Sequence, residues 1–184
     1  MKETLPSLLA SYKGLYVACA CFNVLDAKDR KVVVKSLKDA LKEMFSNKIG
    51  HLFVLHILNN LDDTQLSKKK IISELLKSVD ELFNDKYYQQ IIIGMLQPQS
   101  KRYFMPEEID ALEAYADKST SKKSQQVRRQ ELIKGVLKPY ATFLEENISY
   151  YVMEVNKNHV LRCLLQVVVE CKESSINCFS GLSR

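Results

Sequence analysis

Apolar residues return at intervals of three and four along most of the chain. One stripe runs Ile72, Leu75, Leu76, Val79, Leu82 and Phe83; a second runs Val34, Leu37, Leu41, Met44 and Phe45. A third comprises Ile133, Val136, Leu137, Tyr140, Phe143 and Leu144. That spacing puts each set on one face of a helix, and predicts helices over 31–45, 65–83 and 128–148. Asp62, Asp63 and Thr64 stand where the second helix needs an N-cap. Pro106, followed by Glu107 and Glu108, suits the first turn of another helix. Pro139 falls inside the third stripe and predicts a kink or break near Lys138. The β-branched runs "KVVVKS" and "QQIIIGML" would be strands by propensity alone, but each continues into a helical stripe and is read as buried helix.

The helices repeat. "YKGLYVACACFNVLDAKDRKVVV", "KIGHLFVLHILNNLDDTQLSKKKIIS" and "KYYQQIIIGMLQPQSKRYF" each give a lysine, an apolar helix of about three turns, a polar turn and a basic stretch. Gly14, Gly50 and Tyr88 occupy the matching position, 36 and 38 residues apart, a period typical of helical repeats. "KNHVLRCLLQVVVE", with His159 at the equivalent place, reads as a divergent fourth copy. A single unit cannot bury its stripe, whereas stacked units share one core. The expected fold is therefore an all-α solenoid of three to four repeats. Helical repeats are expected over 1–97, a turn, short helix and polar basic loop over 98–127, and a C-terminal helical cap over 128–184.

Composition agrees with helices: Gly numbers 5, Pro 4, and Trp is absent, too few turn formers for a many-turned β domain. The five cysteines contain no Cys-x-x-Cys pair, so a zinc framework is not expected, and reduced, mostly buried thiols are. "LYVACACF" is too short to span a bilayer. A soluble intracellular chain without membrane attachment is the expectation, which leaves the sequon at Asn147 without meaning.

Catalytic chemistry finds no footing. His51 and His56 are five apart, so they do not converge on a metal as an i, i+4 pair would, and no HExxH pattern surrounds them. One is expected to line a surface and the other to pack. There is no nucleophile elbow and no glycine-rich phosphate loop, and the paired carboxylates sit at helix starts, where capping accounts for them. No enzyme, cofactor or metal site is expected.

Basic clusters are the recurrent feature. They comprise Lys28, Arg30, Lys31 and Lys35; Lys68, Lys69 and Lys70; Lys101 and Arg102; and Lys122, Lys123, Arg128 and Arg129. Most follow the apolar helix of a unit at a similar distance, so stacking could align them into one ridge suited to phosphates. The competing reading is a solvated face balanced by Asp29, Asp39, Glu43 and Glu74. The net charge of +5 permits a polyanionic partner without requiring one.

The run "KDRKVVVKSLKDALKEMFSNKIGHLFVLHILNNLDDTQLSKKKIISEL", then "NDKYYQQIIIGMLQP" and "SKK…VRRQELI", resembles the nucleolar pumilio-like proteins of the Puf-A type, in their C-terminal, CPL-bearing part. The resemblance covers roughly residues 5 to 170. It implies a superhelix of three-helix pumilio repeats that binds RNA or DNA with little sequence preference, in nucleolar large-subunit ribosome assembly. Pre-rRNA is the implied partner, with DNA and pre-ribosomal proteins as further candidates. Family members are longer, with an additional N-terminal block of repeats.

In sequence-reading pumilio repeats three side chains of one helix meet each base. Carried onto this chain, those places are Leu15, Tyr16 and Cys19; His51, Leu52 and Leu55; Gln89, Gln90 and Ile93; and Val160, Leu161 and Leu164. Leucines cannot bond a base edge. Only Tyr16, His51, Gln89 and Gln90 keep that capacity, so a base-by-base code is not expected. The alternative use of such a surface is a protein scaffold, docking a partner on an apolar repeat face around Leu52 and Leu55.

Overall fold

The computed structural model describes residues 7–78, 84–98, 100–114, 120, 122–153, 159–163 and 165–166, with backbone alone at 138, 139, 141, 143–145 and 147–153. The described residues form helices and connecting turns, with no strand among them.

Helix α1 (Tyr12–Val24) starts at Ser11, whose hydroxyl accepts the Gly14 N–H at 3.1 Å. Helix α2 (Ala27–Ser36) is capped by Asp26 through the Asp29 N–H at 2.8 Å. The single helix expected over 31–45 is in fact two: a turn at 37–40 separates α2 from α3 (Leu41–Ser46). Val33, Val34 and Leu37 before the turn, and Leu41, Met44 and Phe45 after it, are all buried. The bend leaves the stripe unbroken, which is why periodicity does not reveal it.

Helix α4 (Gly50–Asn60) is the centre of the fold, with every residue from Gly50 to Leu58 buried. It contacts α1, α3 and two later helices, α7 (Lys86–Leu96) and α8 (Pro106–Leu112). Phe22 meets Phe53 edge-on at 6.2 Å, and Phe45 meets Tyr88 at 5.3 Å, tying α1, α3, α4 and α7 into one core. Both "KVVVKS" and "QQIIIGML" are helical, within α2 and α7. Asp85 caps α7, accepting from Tyr87 and Tyr88 N–H groups at 2.7 and 3.2 Å. Helix α8 opens at Pro106 as its sequence predicts, with the Glu108 carboxylate reaching back to the Met105 N–H at 2.9 Å.

The segment expected as a helix over 65–83 changes character along its length. It begins as α5 (Thr64–Ser67), capped by Asp63 through the Leu66 N–H at 3.0 Å. It widens to a π turn over Lys68–Ile72, returns to α6 (Ser73–Leu75) and tightens to a 3₁₀ turn at Leu76–Ser78. Val79, Leu82 and Phe83 lie outside the described residues.

The last long element, α9 (Gln125–Met153), runs through Pro139 without the break its proline predicts. A proline removes one intrahelical bond, a cost of about 3 kcal/mol. Buried Leu132, Ile133, Val136 and Leu137 before it, and Tyr140 after it, hold the helix against α4, α5, the π turn and α7. No described helix is long and apolar enough to cross a membrane.

Candidate nucleic-acid interface

A helix leaves its last four carbonyls without intrahelical partners, at the negative end of its dipole. The C-terminal ends of α1, α4 and α7 each receive a guanidinium there. Arg30, 1% exposed, donates from Nε to Phe22 O at 3.0 Å and from Nη2 to Asn23 O at 2.6 Å, at the end of α1. Its Nη1 crosses to Asn60 O, at the end of α4, at 2.9 Å. Arg128, 5% exposed, donates from Nε to Asn59 O at 2.7 Å. Arg129 donates from Nε to Met95 O at 3.1 Å, and from Nη2 to Leu96 O, closing α7. Burial lowers the pKa of both Arg30 and Arg128, and the nearby Asp62 carboxylate opposes that fall.

These three arginines therefore leave the expected phosphate ridge. Their donors are directed at carbonyls of the protein's own backbone, and Arg30 and Arg128 are shielded from solvent.

Three lysines are also partly engaged. Lys31 pairs with Asp63 at 2.8 Å, and Lys123 with Glu131 at 2.9 Å. The stem of Lys68 lies across α9 at Gly135, where an added Cβ would stand 3.0 Å from Lys68 Cε. By contrast Lys28, Lys35, Lys69, Lys70, Lys101, Arg102 and Lys122 have exposed side chains. None of these seven pairs with a carboxylate among the described residues. The π turn carries Lys69 and Lys70 outward while Ile71 and Ile72 stay buried.

Sequence reasoning missed Asp62 as the organiser of the basic loop. Its carboxylate accepts the N–H groups of Lys122 and Lys123 at 3.0 and 3.3 Å and the Arg128 guanidinium at 3.1 Å. Farther along the same strap Thr120 accepts from Arg30 at 3.0 Å and donates to Leu25 O at 2.6 Å. The strap thus crosses the ends of α1 and α4. Replacing Asp62 with alanine should free it, and limited trypsin digestion should then cut after Lys122 and Lys123 about tenfold faster or more, the ratio expected from losing roughly 1.5–3 kcal/mol of charge-assisted bonding. An unchanged cleavage rate would show that Asp62 does not hold the strap.

The positions carried over as base-reading lie mostly in the core. Leu15, Cys19, Leu52, Leu55, Ile93 and Val160 are buried. Leu161 is half-buried, and Leu164 lies outside the described residues. His51 is fully buried against Tyr87, with ring centroids 5.0 Å apart, and donates from Nδ1 to Asn47 O at 3.0 Å. His56 is buried as well and donates to Leu112 O at 3.0 Å, so neither histidine lines the surface expected of one. Gln89 is 9% exposed, and Gln90 donates to Tyr103 O at 3.0 Å. Tyr16, 43% exposed, alone of the four polar positions is open. Among the described residues no group of histidines, cysteines and carboxylates could hold a metal ion.

Residues 84–182 match the family model of the CPL (NUC119) domain. The chain belongs to the CPL family. Human Pumilio homolog 3 is 30% identical to this CPL chain over 154 residues, covering 84% of it and 24% of the relative. Pumilio homology domain family member 6 of the fission yeast Schizosaccharomyces pombe is 35% identical over 138 residues, 71% of this chain and 21% of that one. The CPL chain thus spans about a quarter of the length of these relatives. Its fold superposes on human Puf-A, crystallised in complex with DNA, with a TM-score of 0.82 at 29% identity, covering 89% of this chain and 32% of Puf-A. The architecture is accordingly that of pumilio-like helical repeats.

Proposed function

We propose that this chain binds RNA, and DNA, through the phosphate backbone rather than by reading bases, as part of the machinery of large-subunit ribosome biogenesis in the nucleolus. The observation that carries the binding is the division of its polar residues. The positions that would read bases are largely buried, while Lys28, Lys35, Lys69, Lys70, Lys101, Arg102 and Lys122 stand exposed without carboxylate partners among the described residues. The likeness to Puf-A, which has been crystallised with DNA, supports the class of partner. Pre-rRNA as the natural ligand, pre-ribosomal proteins as neighbours and the nucleolar setting rest on the resemblance to that family. The reading requires no catalytic residue.

Phosphate recognition has a signature: affinity falls steeply with salt, by about 0.7 to 0.9 in log–log slope per neutralised phosphate, and varies little with sequence. Labelled RNA and DNA oligomers of different sequence, titrated at two salt concentrations, provide the test. K69A/K70A should weaken all of them alike and flatten the salt slope. No saturable binding at low salt would overturn the proposal. The scaffold alternative loses its surface, because Leu52 and Leu55 are 0% and 1% exposed.

A further inference from the structure

The turn before α8 brings cations to an aromatic platform. The Arg102 guanidinium carbon lies 5.7 Å from the centroid of the Tyr103 ring. Tyr103 is half-buried and meets the ring of His159 edge-on, with centroids 5.6 Å apart and planes at 74°. Arg162, one helical turn beyond His159, acts with Arg102 on the Tyr103 phenol: burial raises its pKa, and the two guanidiniums pull it back.

The platform is anchored from below. Gln90 of α7 donates to Tyr103 O at 3.0 Å, and the next residue, Phe104, is buried. Gln97 bonds Gln166 at 2.7 Å, joining the turn to the last helical stretch. Lys101, Arg102, His159 and Arg162 are all exposed. Among the described residues no carboxylate pairs with Lys101, Arg102 or Arg162.

A guanidinium plane supported on an aromatic ring can take an unpaired base on its outer face, and every base has such a face. In a duplex the bases are already stacked on one another, so no base face is free to receive a guanidinium plane. We infer that Arg102, backed by Tyr103, is a stacking site for an unpaired base of single-stranded nucleic acid, with Lys101 and Arg162 placed for the flanking phosphates. This inference rests on the nucleic-acid reading above and adds to it a preference for single strands.

The variant that separates stacking from charge is Arg102→Lys, which keeps the cation and removes the plane. Arg102 is exposed, so the exchange leaves the core untouched. Anisotropy titrations would compare a single-stranded oligomer carrying 2-aminopurine with a duplex of the same length. The wild-type chain should quench 2-aminopurine on binding. R102K should lose that quenching and at least about fivefold in single-strand affinity, with duplex affinity within twofold. If R102K binds and quenches the single strand as wild type does, the stacking site is refuted and phosphate binding stands. If the wild-type chain binds neither oligomer, the nucleic-acid reading fails and this site with it.

Discussion

Arg30→Ala should cost about 3–5 kcal/mol, which is enough to unfold a marginally stable chain at ordinary temperature. The guanidinium sits inside the protein and donates to Phe22 O, Asn23 O, Asn60 O and Thr120 Oγ1. Truncation strips partners from carbonyls at two helix ends, and each buried group left without a partner costs about 1–3 kcal/mol. Lysine does not rescue the site, because one ammonium on a flexible stem cannot reproduce a planar fork spanning α1 and α4. Chemical denaturation of R30A, R30K and the exposed-site control K28A is the measurement. K28A should stay within about 0.5 kcal/mol of wild type, as surface substitutions do. An R30A midpoint equal to that of K28A would show that Arg30 is not the structural cap its geometry indicates.

The second large effect is acid instability beginning above the carboxylate range. Burial lowers the pKa of His51 and of His56 from 6.5 to about 4, against the opposing hydrogen bonds to the Asn47 and Leu112 carbonyls. Above pH 6.5 both rings are neutral folded and unfolded, so they make no difference to stability. Between 6.5 and about 4 the unfolded chain takes up protons that the folded chain refuses, so stability falls as pH falls. The loss approaches roughly 3 kcal/mol per ring at the lower end. Asp63 and Glu131 act next. The Lys31 ion pair on Asp63, and the Thr64 hydroxyl and Lys123 on Glu131, lower their pKa values, so stability is lost further as pH falls through the carboxylate range. Denaturation midpoints should drop between pH 7 and pH 5, and the ring protons of His51 and His56 should show little titration over that interval by NMR. Equal midpoints at the two pH values would contradict the burial argument.

The sequence made the helices legible where the cause is local. The start of α8 follows from Pro106, and the heart of α4 from an apolar run interrupted only by His56. The bend at 37–40 was not legible, because Val34, Leu37 and Leu41 stay in phase across it. The π turn left no trace either, since a stripe tolerates one extra residue. Among the basic residues, charge alone did not separate the exposed from the buried caps, although phase would have separated them. Arg30 lies three and four residues before Val33 and Val34, and Arg128 four before Leu132, so both fall on the buried stripe. Residue type was a second clue: a carbonyl cluster suits a guanidinium fork, and the basic residues left exposed are mainly lysines.

A stack of repeats is ordinarily divisible, each unit answering only to its neighbours, so that the array can fray from either end. The arginine caps remove that freedom. Arg128 and Arg129 issue from the start of α9 and close α4 and α7, while Arg30 joins α1 to α4. A late helix thereby completes early ones, and contacts distant in sequence become a condition for finishing the core. Such a body should melt in one step rather than by peeling, its basic residues keeping their relative positions until the whole gives way.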